Sequence, residues 1–257
     1  MCQLLGMNAN TPTDVMFSFT GLATRAAEHK DGFGIAFFED RGVRLFVDPH
    51  SAVHSPVADM VRNYPIRSDN VIAHIRKATV GRVALENTHP FQRELWGRYW
   101  VFAHNGDLKG FAPRLHGRFR PVGDTDSELA FCWLMQELDK SHASVPGIEE
   151  LGHTLSELLP ALNAHGTFNM LLSNGQALWA HASTQLHWLM RQHPFAPARL
   201  ADEDLSVDFA ALTTPTDRVT IVATEPLTAG EAWQRIAPGE LMVFVDGAGT
   251  IHLPAQR

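Results

Sequence analysis

Cysteine is scarce in this 257-residue chain, which contains only Cys2 and Cys132. Two cysteines cannot form the disulfide framework of a small secreted domain, and neither belongs to a Cys-x-x-Cys pair of the kind that binds zinc. A secretory signal, with its charged segment and following apolar stretch, is also missing. We therefore expect a cytoplasmic protein whose two thiols are reduced.

Long hydrophobic runs and excess positive charge are missing as well. Since a membrane-spanning helix needs roughly 20 apolar residues, no membrane association is expected. The formal net charge of -7 argues against a broad phosphate-binding surface and therefore against a nucleic acid partner. The 14 histidines are scattered and form no His-Glu-x-x-His motif, so the sequence predicts no metal and no other cofactor.

Short apolar runs, rich in β-branched and aromatic residues, are present toward both ends of the chain and indicate strands. Antiparallel strands at both ends, with two long helix-like segments between them, predict an α+β sandwich of two sheets covered by helices. We expect one domain over residues 1–257. Polar residues 8–12 predict a turn, and residues 193–217, rich in Ala, Pro, Asp and Thr, predict a long surface loop.

Cys2 is the most informative residue because of its position. If Met1 is removed, Cys2 carries both a thiol, with a reference pKa of about 8.5, and an α-amine, with a pKa of about 7.7 to 8.0. The amine can then accept the proton of the thiol, so nucleophile and base share one residue. The alternative is a small buried hydrophobic residue or an incidental thiol.

Three polar clusters follow predicted strands or begin a predicted helix. They comprise residues 74–79, with Asn87-Thr88-His89-Pro90 close behind, then residues 104–107, and then residues 123–128. In the second cluster, Asn105 and Gly106 supply a side-chain amide and a backbone N–H, the two donors that an oxyanion site needs. The same pair is also typical of a simple turn.

An amino-acid substrate presents a carboxylate and an ammonium group. A guanidinium binds the first in bidentate fashion and a carboxylate binds the second, which makes Arg76 and Asp126 candidates. Arg76 could instead form a structural ion pair, and Asp126 could serve only the helix end, where Thr125 and Glu128 have capping-box spacing.

Together and in this order, these residues resemble the class II glutamine amidotransferases, which are N-terminal nucleophile hydrolases. The motifs that carry the resemblance are Cys2, residues 76–79, Asn105-Gly106 and residues 125–128. The resemblance implies a four-layer αββα sandwich of two antiparallel sheets. It also implies that Cys2 attacks the side-chain amide of glutamine, that ammonia leaves, and that water hydrolyses the resulting thioester.

The family resemblance also implies a role for each candidate residue. Asn105 and Gly106 would stabilise the oxyanion, Arg76 would hold the substrate carboxylate, and Asp126 would hold its ammonium group. Thr79 would line the pocket and His89 would support the loop.

Several functions stay open at this point. Larger synthases of the family carry a second domain that receives ammonia and a His where this chain has Val80, so we expect either a glutaminase subunit serving a separate synthase or an independent enzyme. Hydrolysis of another γ-glutamyl amide, as in the related enzyme of ergothioneine biosynthesis, is an alternative. A non-catalytic glutamine-binding subunit is a third.

Overall fold

The computed structural model describes residues 2–25, 31–53, 55–77 and 81–255. Within these ranges the chain forms four α-helices and sixteen strands. In chain order they are β1 (Gln3–Asp14), α1 (Met16–Thr24), β2 (Phe33–Glu39), β3 (Gly42–Asp48), α2 (Pro56–Asn63), β4 (Arg67–Ile75), β5 (Phe91–Leu95), β6 (Arg98–Leu108), α3 (Asp126–Ser141), α4 (Ile148–Asn163), β7 (Gly166–Ser173), β8 (Leu178–His181), β9 (Leu186–Gln192), β10 (Pro197–Leu200), β11 (Ser206–Asp208), β12 (Arg218–Ala223), β13 (Thr228–Ala229), β14 (Gln234–Ile236), β15 (Leu241–Val245) and β16 (Ala248–Leu253).

Two large antiparallel sheets organise these strands. The first sheet has seven strands in the order β14-β9-β12-β1-β4-β2-β3, and the second has six in the order β16-β15-β8-β7-β6-β5. In the first sheet, β1 lies between β12 and β4, so the start of the chain occupies a central strand. In the second, β6 pairs with β5 on one side and β7 on the other.

Side-chain alternation along the strands builds three layers of apolar packing. On β1, Leu4 packs between the two sheets, whereas Leu5 packs on the opposite face with Phe19 of α1. The outer face of the second sheet packs on α3 and α4, with Phe131 and Leu155 in that cluster. Helices therefore cover both outer faces, and the predicted four-layer αββα sandwich is confirmed.

The first strand is longer than predicted. Residues 8–12 continue β1, with a change of register between Asn8 and Thr13, instead of forming a turn. Asn8 is buried, donates to Asn70 Oδ1 over 3.0 Å and accepts from the Gly247 amide over 2.8 Å. Because those distant partners satisfy its amide, a residue type that favours turns lies within a central strand.

The predicted loop over residues 193–217 is partly wrong. It contains β10 and β11, which join β13 in a small three-stranded sheet. In β10, the buried residues Ala198 and Leu200 alternate with exposed ones. The strand has only four residues, so this alternation is too brief to stand out among the surrounding polar residues.

Helix α2 was not predicted, although its start is well marked. Ser55 caps it by accepting from the amides of Val57 and Ala58 over 3.1 and 3.2 Å. Pro56 is the first helical residue, a position where its missing N–H is no loss. The helix has only eight residues, so its apolar face repeats too few times to give a clear helical period.

Gly34 on β2 allows the chain before β5 to cross the inner face of the first sheet. A Cβ at this position would lie 2.2 Å from the carbonyl oxygen of His89 and 3.0 Å from Cδ of Pro90. Both neighbours belong to the backbone or to a proline ring, so neither can rotate away. Glycine is therefore required where these residues touch the strand.

We predict that Gly34→Ala lowers the free energy of unfolding by roughly 1 to 3 kcal/mol, the usual cost of overpacking. Urea unfolding measures it. Gly249→Ala, on a strand where the new Cβ would meet its nearest atom at 3.6 Å, is the matched control and should change stability by about 0.5 kcal/mol or less. Equal shifts for the two variants would contradict this assignment.

Candidate active site

Cys2 lies directly before β1, beside the end of β4. Because these strands are antiparallel and Gln3 faces Ile75, the residues after β4 reach the thiol. Cys2 Sγ donates to the Lys77 carbonyl over 3.3 Å and accepts from the Lys77 amide over 3.2 Å. Burial raises the pKa of this thiol, while the Lys77 backbone hydrogen bond and the charge of Arg76 act against that rise.

Asn105 brings the second sheet to Cys2. It lies within β6, opposite Asn169 of β7, and not in the turn that its neighbour Gly106 could have formed. The side-chain Nδ2 of Asn105 donates to the Cys2 backbone carbonyl over 2.7 Å. The backbone carbonyl of Asn105 accepts from Asn169 Nδ2 over 3.1 Å. Asn105 Oδ1 is buried and accepts no hydrogen bond from any residue that the structure describes.

Gly106 is a site of close backbone packing. A Cβ there would lie 1.8 Å from the Thr167 carbonyl oxygen and 2.5 Å from Nε2 of His104. His104 is itself fixed, because Nδ1 is 2.8 Å from Ser127 Oγ and Nε2 is 3.1 Å from the Thr167 carbonyl oxygen. Only glycine fits at position 106, and the surrounding contacts hold its backbone in one place.

Arg76 follows β4 and is almost fully buried, with 3% of its surface exposed. Its Nη1 donates to the Arg82 carbonyl over 3.1 Å and its Nη2 to the Gly81 carbonyl over 3.2 Å. Its backbone amide donates to the Gly32 carbonyl over 2.8 Å, which ties it to the segment before β2. The carbonyls of Gly81 and Arg82 therefore orient the guanidinium, and Gly32 holds the backbone that carries it.

Asp126 is the first residue of α3, and Thr125 caps the helix by accepting from the Glu128 amide over 3.2 Å. The Asp126 carboxylate accepts from the Leu108 amide over 2.7 Å and from the Ser127 amide over 2.9 Å. The bond to Leu108, two residues after Gly106, joins the start of α3 to the strand that carries Asn105. The Asp126 carboxylate is therefore more than a helix-end group, because it also binds the backbone of β6.

The predicted capping box is only half formed. The Glu128 carboxylate does not accept a hydrogen bond from the Thr125 amide. Instead, its Oε2 accepts from the amides of Val122 and Gly123 over 3.0 and 2.7 Å, and its Oε1 forms an ion pair with Arg93. Glu128 therefore fixes the segment before α3 as well as the helix start.

His89 lies behind this site, fully surrounded by other groups. Its ring centroid is 4.3 Å from that of His74 and 4.5 Å from that of Phe91. Burial, and then the neighbouring His74, His104 and Arg76, hold the pKa of His89 well below its ordinary value. His89 is therefore neutral at pH 7.

The structure brings Cys2, Arg76 and Asn105 together, and it joins Asp126 to the same strand as Asn105. Thr79 lies outside the described residues, as does Met1. Among the described residues, no three His, Cys, Asp or Glu side chains are placed to hold a metal ion. No helix in the described part of the chain is both long and apolar enough to cross a membrane.

Thr224 and Asn169 belong to the site's surroundings but were not among the predicted site residues. Thr224 Oγ1 accepts from the Leu4 amide over 2.9 Å and from Asn105 Nδ2 over 3.4 Å, and its amide donates to the Leu4 carbonyl. The sequence does contain a signal for Asn169, which is a polar amide between the apolar residues Phe168 and Met170 of β7. Thr224 follows β12 directly, but only the pairing of β12 with β1 brings it to the site.

We predict that the Cys2 thiol titrates above the ordinary cysteine value of about 8.5 in protein that retains Met1. A raised pKa means that less thiolate is present at a given pH, so the midpoint of the iodoacetamide alkylation rate should shift to higher pH. Alkylation of a Cys132→Ala variant, with retention of Met1 verified by intact mass, measures this midpoint. A midpoint at or below about 8.5 would contradict it.

The chain is similar to known proteins along nearly its whole length. The family model for class-II glutamine amidotransferases matches residues 1–256. The chain is 52% identical over 251 residues to the "Putative glutamine amidotransferase YafJ" of Escherichia coli, covering 96% of this chain and 98% of that protein.

A crystal structure of a "predicted glutamine amidotransferase" from Pseudomonas aeruginosa PA01 matches with a TM-score of 0.79 at 45% identity, covering 97% of this chain and all of that one. Glutamine phosphoribosylpyrophosphate amidotransferase from B. subtilis shares the fold, with a TM-score of 0.60 at 15% identity over 98% of this chain and 49% of that one. The chain belongs to the class II glutamine amidotransferases.

Proposed function

We propose that the chain is an amidohydrolase of the glutaminase type, in which Cys2 is the nucleophile once Met1 has been removed. The observation that carries this proposal is the hydrogen bond from Asn105 Nδ2 to the Cys2 carbonyl. It holds the nucleophile of one sheet against the oxyanion donors of the other. We further propose that residues 1–257 act as one catalytic domain.

The reaction has two steps. In the first, the free α-amine of Cys2, through a water molecule, takes the thiol proton while Sγ bonds to the side-chain amide carbon of glutamine. The carbon–nitrogen bond then breaks, the α-ammonium group of Cys2 returns that proton to the leaving nitrogen, and ammonia departs, which leaves a thioester on Cys2. In the second, water adds to that thioester, and glutamate and the thiol are released. While Met1 is attached, the Cys2 nitrogen is an amide and cannot act as the base.

The negative charge on the amide oxygen is stabilised by the Gly106 backbone N–H and by the second N–H of Asn105 Nδ2. That N–H makes only a 3.4 Å contact with Thr224 Oγ1, while the first donates to the Cys2 carbonyl. Preorganised donors are effective because they need no reorientation as charge develops. The crowding around Gly106 and the bond from Asn169 to the Asn105 carbonyl support such preorganisation.

The amino-acid end of the substrate is held by Arg76, which binds the α-carboxylate, and by Asp126, which binds the α-ammonium group. Thr79 lines this pocket, and His89 supports the loop behind it. The burial of Arg76 supports the assignment, because a desolvated guanidinium binds a carboxylate more strongly than one in water. Ammonia is either released or passed to a separate synthase subunit.

Glutamate release tests the proposal. Protein whose intact mass shows loss of Met1 should release glutamate from glutamine, and Cys2→Ala should abolish release while the protein stays folded. Cys132→Ala, which removes the buried thiol of α3, is the control and should stay within about twofold of the wild-type kcat. Release from γ-glutamyl peptides but not from glutamine would favour the other amide substrate. Glutamine binding without turnover in the wild type would show a non-catalytic subunit.

Asn105→Ala should lower kcat by about 100-fold, since loss of one oxyanion donor costs about 3 kcal/mol. KM should change little, because the lost donor acts mainly in the transition state. Initial rates, with thermal unfolding to verify folding, measure the effect. Asn63→Ala, an exposed amide on α2, is the control and should keep wild-type kinetics. A kcat within threefold of wild type for Asn105→Ala would contradict the oxyanion assignment.

A further inference from the structure

The Arg82 carbonyl has two donors. It accepts from Arg76 Nη1 over 3.1 Å and from Asn87 Nδ2 over 3.0 Å. The group that orients the buried guanidinium is therefore itself oriented by Asn87, a residue with no exposed surface. Arg82 and Asn87 lie in the same short segment between β4 and β5. Asn87 therefore stabilises the backbone of this segment where it binds the Arg76 guanidinium.

Asn87 also bonds to the segment before α3. Its Nδ2 donates to Asp124 Oδ1 over 2.6 Å, and its Oδ1 accepts from the Asp124 amide over 2.9 Å. Both N–H groups of the Asn87 amide and its oxygen are thus used. Asp124 lies two residues before Asp126, so one side chain connects the neighbourhoods of Arg76 and Asp126.

Two glycines permit this close approach. A Cβ on Gly123 would lie 2.1 Å from Asn87 Oδ1, and a Cβ on Gly81 would lie 2.7 Å from Asp124 Oδ1. Gly81 also has a φ of +74°, a conformation that other residues rarely adopt. The segment that holds Arg76 and the segment that begins α3 therefore fit together only with glycine on each side.

The α3 side of the connection is rigid. Glu128 accepts from the amides of Val122 and Gly123 and pairs with Arg93, with 2% of the Glu128 side chain exposed. These bonds hold Gly123, the residue before Asp124. Asn87 therefore connects the segment of Arg76 to a rigid part of the chain.

We propose that Asn87 is a positioning residue that sets the separation of Arg76 and Asp126, and thereby makes the site selective for amides of α-amino acids. It touches no substrate and acts through the Arg82 carbonyl and Asp124. The inference rests on the proposed function, because it assumes that Arg76 and Asp126 bind the two charged groups of the substrate.

Steady-state kinetics with two substrates test this. Glutamine uses both charged residues, whereas 4-aminobutanamide has no α-carboxylate and makes no use of Arg76. Asn87→Ala should raise KM for glutamine about tenfold, the effect of losing buried hydrogen bonds. It should leave kcat within threefold and leave kcat/KM for 4-aminobutanamide unchanged. A merely structural defect would reduce turnover of both compounds in parallel.

Asp124 variants keep the proposal testable if Asn87→Ala does not fold, because Asp124 is exposed. Asp124→Ala removes one of the acceptors of Asn87 and should raise KM for glutamine severalfold. Asp124→Asn retains an acceptor oxygen and should restore the wild-type value.

Two results would overturn the inference. In an active wild type, an unchanged glutamine KM in Asp124→Ala and in any folded Asn87→Ala would refute the role of Asn87 while leaving the proposed function intact. A wild type that has lost Met1 and releases product from neither compound would refute the proposed function, and this inference with it.

Discussion

The hydrogen bond between Asn105 Nδ2 and the Cys2 carbonyl crosses from one sheet to the other, and the geometry of the site depends on it. Cys2 directly precedes β1 of the first sheet and Asn105 lies in β6 of the second, so the bond forms only when the two sheets pack at the correct distance and angle. The apolar layer between them sets that distance, and Leu4 and Ala103 are both part of it. Assembly of the site therefore requires the apolar packing between the two sheets.

The polar groups near this bond are buried, and burial changes their chemistry. The pKa of His89 lies well below its ordinary value, so a neutral ring lies behind Arg76 and adds no positive charge there. The pKa of His104 is also lowered, chiefly by desolvation, although Asp126 opposes the change. Arg76 is thus a buried cation whose charge acts on the Cys2 thiol. The proposed mechanism uses this arrangement, since a buried cation attracts the substrate carboxylate strongly.

Much of this could be predicted from the sequence, and for a physical reason. The strand and helix patterns are local, so the sandwich and the helix beginning at Asp126 followed from periodicity and capping residues. Cys2, Arg76, Asn105 and Asp126 are carried by short motifs that resemble a family. The placement of Thr79 lies outside the described residues, so its role stays a prediction.

What could not be predicted depends on contacts between distant parts of the chain. The strand through residues 8–12 forms because Asn8 finds partners on β4 and near β16. Thr224 likewise binds Leu4, two residues after Cys2, although more than two hundred residues separate them in the chain. Asn87 lies in the polar motif that follows Arg76 in the sequence, but its bonds to Asp124 depend on the packing of two loops. No local pattern encodes such pairings.

The central claim is that Cys2 is an N-terminal nucleophile, placed by the contact between the two sheets. Its most direct test is mass spectrometry of protein treated with a glutamine analogue that carries a diazoketone in place of the side-chain amide. The account predicts that the analogue, less its nitrogen molecule, is added to Cys2 in chains that have lost Met1, and that Cys132 stays unmodified. An unmodified Cys2 in processed protein, or equal labelling of Cys2 in chains that retain Met1, would contradict it.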